Sequence, residues 1–289
     1  MEGIGKVAGE KPRILQIYDP MSDPTDRQKR IKGWDQERIE KARVLVVGAG
    51  GLGNEIVKHL VMLGFKKIYI ADYDQVVEAN LNRCIFFRME DARKRKNKAL
   101  TLAERAKEMS PYPDTEIIPL STKIGDKGIT YDDELWEDID LVFGAVDNVM
   151  ARVYLSISAL YNSRELKRSI PVVDGGVRAF NGNIFVMVPF KTACLACELP
   201  ESVWTDPWKR ASCSGSSLPN VTISPSLPTT FSVIAALQVN EAVKILHDGA
   251  LGKPLIGKRL CIDLSRGDWY VYEVPKNKSC KVCSMVPEG

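Results

Sequence analysis

The stretch Arg43-Val44-Leu45-Val46-Val47-Gly48-Ala49-Gly50-Gly51-Leu52-Gly53 decides the fold. A short β-forming run leads straight into Gly-x-Gly-x-x-Gly spacing at Gly48, Gly50 and Gly53, with Gly51 inside it. Apolar residues then recur at near-helical spacing, at Leu52, Ile56, Val57, Leu60, Val61 and Leu63. Lys67–Ala71 is a second apolar strand, and it ends at Asp72. Strand, glycine turn, helix and strand make a βαβ unit, so the spacing predicts a parallel sheet. Glycines let the turn tighten and let a phosphate approach the backbone, while the helix N-terminus offers free N–H groups and a partial positive charge. Asp72 follows Gly53 by 19 residues, where a carboxylate can accept hydrogen bonds from ribose hydroxyls. The glycine motif alone also fits a purely structural turn. Strand, helix and acid together point to a nucleotide.

Outward from this unit, residues 1–25 read as a flexible polar arm, and 26–41 as a surface helix carrying Ile31, Trp34 and Ile39. Downstream, the pattern predicts a long charged helix over 91–110, closed by Ser110-Pro111. Strands follow near 115–120 and 141–145, then a helix over 148–166 and strands at 170–174 and 183–188. Residues 202–228 are rich in Ser and Pro and read as a long crossover loop, a feature that is usually functional inside a compact domain. An apolar helix over 229–247 and strands at 259–263 and 268–274 complete the chain. The expected fold is α/β: a Rossmann-like, doubly wound, mostly parallel sheet. One domain spans 26–289, with its nucleotide-binding part at 42–150 and a second part at 170–285.

With 289 residues, 45% of them hydrophobic, the chain is long enough to bury a sizeable core. Its 40 basic residues nearly cancel 37 acidic ones, and a net charge of +3 lacks the clustered excess of a nucleic-acid binder. The basic block Arg93-Lys94-Arg95-Lys96 fits a solvated helix start or a charge placed near phosphates. No run of about 18 apolar residues predicts a membrane span. Met1–Asp19 has no apolar segment of a secretory signal, so the cytoplasm is the expected compartment.

The phosphate reading sharpens beyond Asp72. Asp72-Tyr73-Asp74 leads to Asn80-Leu81-Asn82-Arg83 and then to Lys98. Arg83 can fork onto phosphate oxygens and Lys98 supplies a point charge, a set suited to a triphosphate more than to a pyrophosphate bridge. Asp147 follows a strand and begins a helix, on the side where open α/β sheets bind ligands, and is placed to hold Mg²⁺ against phosphates. Taken singly, Asp147 also fits a plain helix N-cap, and Arg83 and Lys98 fit exposed surface charge.

The run Arg43–Gly53, Asp72-x-Asp74, Asn80-Leu81-Asn82-Arg83, Lys98 and Val146-Asp147-Asn148 together resemble the ubiquitin-activating enzyme superfamily. That group includes the bacterial adenylyltransferases of molybdopterin and thiamine sulfur transfer. The resemblance covers about residues 26–285, and it implies ATP-dependent adenylation of a protein C-terminus. It implies that Asp72 binds ribose, that Asn80, Arg83 and Lys98 contact phosphates, and that Asp147 coordinates Mg²⁺. Asp26-Arg27-Gln28 looks like the family's N-terminal Arg-Gln motif, which implies a homodimer in which Arg27 reaches the partner's ATP site. Cys84 stands where relatives often carry glutamine, and the Arg83–Lys98 interval is slightly long, which leaves Lys96 as a fallback.

Cys194-Leu195-Ala196-Cys197 and Cys280-Lys281-Val282-Cys283 are two chelating pairs. Four thiolates at this spacing suit a closed tetrahedral Zn²⁺ site of structural type, and relatives carry the same arrangement; free thiols or a redox pair are the other readings. Of the remaining cysteines, Cys84 neighbours the phosphate motif and Cys261 lies in a strand expected to be buried and inert. Cys213 lies in the Ser/Pro-rich loop beside Lys209 and Arg210, which favour a nucleophilic thiolate. In compact relatives the reactive cysteine lies in this loop but nearer Leu227-Pro228-Thr229-Thr230, about where Ile223 stands here. The two histidines, His59 and His247, fall on expected helices and read as structural.

The architecture expected is the compact one, without a separate cysteine domain or ubiquitin-fold domain. The leading expectation is an enzyme that adenylates a small ubiquitin-like protein ending in diglycine and then takes it as a thioester on Cys213. A downstream conjugating enzyme would follow. The alternatives are a sulfur-carrier adenylyltransferase without the thioester, an NAD-dependent oxidoreductase, and a non-catalytic partner subunit. The last fits poorly with Arg27, Arg83 and Asp147 in one chain.

Overall fold

A computed structural model describes residues 22–125, 127–201, 204 and 225–288. Strand β1 (Arg43–Val47) lies at the centre of one sheet with β2 (Lys67–Ala71), β3 (Glu116–Leu120), β4 (Leu141–Gly144), β5 (Val172–Arg178), β6 (Asn181–Met187), β7 (Lys258–Asp263) and β8 (Asp268–Glu273). The strand order is β3-β2-β1-β4-β5-β6-β7-β8. The first five strands in that order pair in parallel, and β6, β7 and β8 add on antiparallel. The order reverses between β1 and β4, so a switch point opens at their carboxyl ends.

Core residues lie on both faces of the sheet. Val44 and Val46 join one apolar cluster and Leu45 and Val47 the other, which is why β1 reads as an unbroken apolar run. On one face, α3 (Gly51–Leu63) packs against α7 (Pro228–Leu246); on the other lie α6 (Val149–Glu165) and the short α8 (Lys281–Met285). Helix α3 ends at Gly64, whose φ of +88° closes the helix in the left-handed region.

Two expected helices are each divided. The helix foreseen over 26–41 is instead α1 (Asp26–Lys29) and α2 (Gln36–Lys41), separated by a turn with Gly33 at φ +88°. The charged helix foreseen over 91–110 is α4 (Met89–Arg93) and α5 (Lys98–Met109), split by Arg95 at φ +49° and restarted where Asn97 accepts the Leu100 N–H. Gly33 is a visible signal for the first break, but composition could not reveal the second, because Arg95 is a good helix former. Cys261 is half-buried on β7, not a closed core thiol. Among the described residues, no helix is long and apolar enough to cross a membrane.

Candidate active site

The carboxyl ends of β1, β2 and β4 assemble the site. Gly48 follows β1 with φ +101°, and a side chain there would run into the Ala145 carbonyl just past β4. A side chain on Gly53 would strike the Gly48 carbonyl, so α3 can pack onto the turn only through glycine. Gly50 is the N-cap of α3 and faces open space at its Cβ position, leaving the helix N-terminus approachable. Gly51 lies against the Phe231 ring of α7, which fixes that helix on the loop.

Asp72 binds the loop directly. Its Oδ2 accepts the Ala49 N–H at 2.7 Å and its Oδ1 accepts the Asp74 N–H at 2.8 Å. Burial raises its pKa above the usual carboxylate range, against the opposing pull of Lys98 and these N–H donors. Lys98 begins α5 and donates to Asp74 Oδ2 at 2.8 Å. Burial lowers its pKa, but the Asp74 hydrogen bond and the charges of Asp72 and Asp74 outweigh it and raise the balance. Lys96 is tied instead to the buried Asp91, with Nζ 2.9 Å from Oδ1. Of the two lysines, the structure therefore brings Lys98 to the strand end.

Asn80 and Arg83 lie on the loop after β2, and both bond within it. Asn80 is buried, and its Oδ1 accepts the Val77 N–H at 3.0 Å. The Arg83 guanidinium donates to Ala79 O at 2.6 Å and Asn82 Oδ1 at 2.9 Å. Cys84 follows Arg83 and is buried in the apolar core. Burial pushes its thiol up to about 12, and the charges of Arg83, Lys98 and Asp72 all bear on it. A thiol held that high is a poor nucleophile near neutral pH. Asp147 is exposed beyond β4, while Asn148, not Asp147, caps α6 by accepting the Ala151 N–H at 2.7 Å. Arg27 stands apart: its side chain is 76% exposed and, among the described residues, pairs locally, 3.3 Å from Asp26.

Sequence reasoning missed the roles of Asn54, Arg152 and Asp174 in this region, and took Gln28 only as part of the Arg-Gln motif. Asn54, fully buried on α3, donates to Ala49 O at 2.9 Å and Gly50 O at 3.1 Å and accepts the Phe86 N–H at 3.1 Å. It thus ties the glycine loop to the Asn80–Arg83 loop. Gln28 donates to Leu63 O at 2.8 Å, gripping the far end of α3, and to Gln36 Oε1 at 2.7 Å. Arg152 and Asp174 form a buried ion pair at 2.9 Å behind Asp147. Arg152 and Asp174 are charged residues inside apolar runs, which was the available signal.

The second cluster lies against α6, where the Leu195 N–H donates to Ser156 Oγ at 3.1 Å. Sulfur–sulfur distances are 3.7 Å for Cys194–Cys197, 3.6 Å for Cys194–Cys280 and 3.7 Å for Cys197–Cys283, and all four sulfurs lie within 4.8 Å of one another. Ligands about 2.3 Å from a tetrahedral Zn²⁺ would be roughly 3.8 Å apart, so donor set and spacing fit that ion. Hydrogen bonds among the crowded sulfurs pull Cys197 down to about 2 and push Cys194 up, as expected where neighbouring sulfurs share few protons. Cys213 lies outside the described residues. His247 is buried, accepts the Asp35 N–H at 3.0 Å and bonds Val243 O at 2.8 Å, a structural role as expected.

With this geometry in place, comparison with known proteins is direct. The ThiF family model matches residues 25–282. The chain belongs to the ThiF family. Among curated relatives, the NEDD8-activating enzyme E1 catalytic subunit of Arabidopsis thaliana is 37% identical over 164 residues, covering 54% of this chain and 34% of that protein. The sulfur carrier protein adenylyltransferase of Thermus thermophilus is 29% identical over 263 residues, covering 87% of this chain and 86% of the relative. The chain thus spans about a third of the first relative's length and most of the second's. The crystal structure of E. coli MccB with ATP superposes with a TM-score of 0.65 at 20% identity, over 86% of this chain and 68% of that one, a likeness of fold.

Proposed function

We propose that this ThiF-family chain uses ATP to adenylate the C-terminal carboxylate of a small ubiquitin-like or sulfur-carrier protein. The Gly48–Gly53 loop with Asp72 bonded to it and Lys98 held at the same strand end, followed by Arg83 on the next loop and by Asp147 beyond the adjoining strand, carries this reading. A carboxylate is a poor electrophile, because its charge repels nucleophiles and oxide is a poor leaving group. Attack by its oxygen on the α-phosphorus of ATP forms the acyl-adenylate, and the bond from that phosphorus to the β-phosphate oxygen breaks to release pyrophosphate. No proton transfer is needed, so positioning and charge neutralisation carry the rate. Asp72 receives ribose hydroxyls, the loop and the α3 N-terminus receive phosphate oxygens, and Arg83 swings from its own loop onto them alongside Lys98. Asp147 would hold Mg²⁺, which when bound neutralises phosphate charge. The exposed Arg27 is free of this site in its own chain, which supports a role in the site of a second copy. The four-cysteine cluster would hold structural Zn²⁺.

Likeness along nearly the whole chain to a sulfur carrier adenylyltransferase gives sulfur transfer at least equal standing with thioester formation on Cys213. A Cys213→Ala variant separates the two. If a thioester forms, wild type mixed with ATP and a diglycine-ended carrier gives a reductant-sensitive adduct on a gel, and Cys213→Ala loses it while still exchanging pyrophosphate with ATP. An adduct persisting in Cys213→Ala places the nucleophile elsewhere. No adduct in wild type that carries out exchange decides for sulfur transfer.

A further inference from the structure

The Arg152–Asp174 pair has no place in the chemistry above, yet it is the most buried ion pair beside the site. The side chains are 9% and 4% exposed, and Arg152 Nε lies 2.9 Å from Asp174 Oδ2. Removing two charges from water costs several kcal/mol, and apolar residues of similar volume often replace such a pair without loss of stability. Here the cost is higher still, because Asp174 Oδ1 is buried without a hydrogen-bond partner among the described residues. A pair of this kind is poorly explained by stability alone.

Its contacts point to position. Asp174 on β5 is registered against Gly144, the last residue of β4, and a side chain at Gly144 would collide with the Asp174 carboxylate. Arg152, on the first turns of α6, donates through Nη2 to Val146 O at 2.7 Å and to Gly175 O at 3.1 Å. The Ala145 N–H is bonded to Val47 O at 2.9 Å, and Asn148 caps α6. Residues 144, 145, 146 and 148 are therefore each held from a different side, and exposed Asp147 is the residue between them. A planar guanidinium can grip the Asp174 carboxylate and two carbonyls at once, which an ammonium on a flexible stem cannot.

We propose that Arg152 and Asp174 are positioning residues that fix the Val146-Asp147-Asn148 turn and thereby aim the Asp147 carboxylate at the divalent cation of bound ATP. The inference rests on the reading of Asp147 as a cation ligand. Groups that orient a metal-binding carboxylate are worth roughly tenfold to a hundredfold in metal affinity.

The test measures Mn²⁺ binding by electron paramagnetic resonance in the complex with a non-hydrolysable ATP analogue, alongside the Mg²⁺ dependence of pyrophosphate exchange. The variants are Arg152→Lys, the charge-free double variant Arg152→Gln/Asp174→Asn, and Asp147→Ala. Arg152→Lys and the double variant should bind Mn²⁺ at least about tenfold more weakly and need correspondingly more Mg²⁺, while cation-free analogue binding is unchanged. Circular dichroism checks their fold, and the double variant serves if the single one does not fold. Wild-type Mn²⁺ affinity in either folded variant overturns the proposal, even if thermal stability falls. Failure of Asp147→Ala to weaken Mn²⁺ binding would instead overturn the reading of Asp147 itself.

Discussion

The two ends of the sheet obtain order by different means. In the parallel half, β1 is buried on both faces, and the groups that gather at its carboxyl end are placed by strand ends, glycines and a helix N-terminus. In the antiparallel half, all six residues of β8 are exposed, and Trp269, Tyr270, Val271 and Tyr272 are each 40% exposed or more. There the chain is joined through sulfurs brought together from 86 residues apart, Cys194 to Cys280 and Cys197 to Cys283. Where the core is thick, backbone geometry suffices to aim chemical groups. Where the outer strand is exposed, the second apolar cluster beneath it takes in Cys194, Cys197 and Cys280, buried beside one another.

That contrast implies opposite consequences of losing a side chain. Asp147→Ala, at the thick end, should reduce pyrophosphate exchange roughly 100- to 1000-fold while circular dichroism and melting temperature stay near wild type, because an exposed carboxylate holds no core contact. Cys280→Ser, in the buried thiol cluster, should do the reverse. Losing the chelate removes folding energy directly, and a loss of about 3–4 kcal/mol lowers the melting temperature by about 10 °C, with exchange retained in the protein that remains folded. A Cys280→Ser protein with wild-type stability and no zinc by elemental analysis would remove the chelate from the comparison.

Asp72 sharpens the contrast with a smaller effect. Burial raises its folded pKa above the unfolded value, so its ionisation opposes folding. Stability from this group is highest at acid pH, falls as pH rises from the ordinary carboxylate value through the raised one, and stays lower at neutrality. Asp72→Asn keeps an acceptor for the Ala49 N–H and removes the buried charge. At pH 7 it should melt at the wild-type temperature or about 1–3 °C higher. Calorimetric titration should show ATP bound about tenfold more weakly through loss of charge-assisted ribose bonds. A lower melting temperature, or unchanged ATP affinity, would contradict this assignment of cost and benefit.

How far each end was legible follows from the same physics. The βαβ unit was readable because glycine spacing and apolar periodicity are local, and Lys67–Ala71 appears where the pattern placed it. The thiol cluster was readable because Cys-x-x-Cys repeats are rare and specific. The Arg95 turn between α4 and α5 was not, since it depends on the Lys96–Asp91 ion pair and on Asn97 donating to the distant Asp72 carbonyl. Asn54 and Arg152 were also overlooked, because each bonds a group that only the tertiary fold brings near, the Phe86 N–H and the Asp174 carboxylate. Residues that touch ligands leave motifs; those that hold the motifs in place leave only a polar letter in an apolar run.

The most direct test of the account is isotope exchange between pyrophosphate and ATP, run with a panel of purified diglycine-ended carrier proteins and followed by mass spectrometry of the carrier C-terminus. The account predicts exchange that requires a carrier and Mg²⁺, with the carrier gaining the mass of an adenylate at its terminal carboxylate. ATP binding with no exchange for any carrier, or exchange and adenylate formation that persist in full when the carrier's terminal glycine is amidated, would contradict it.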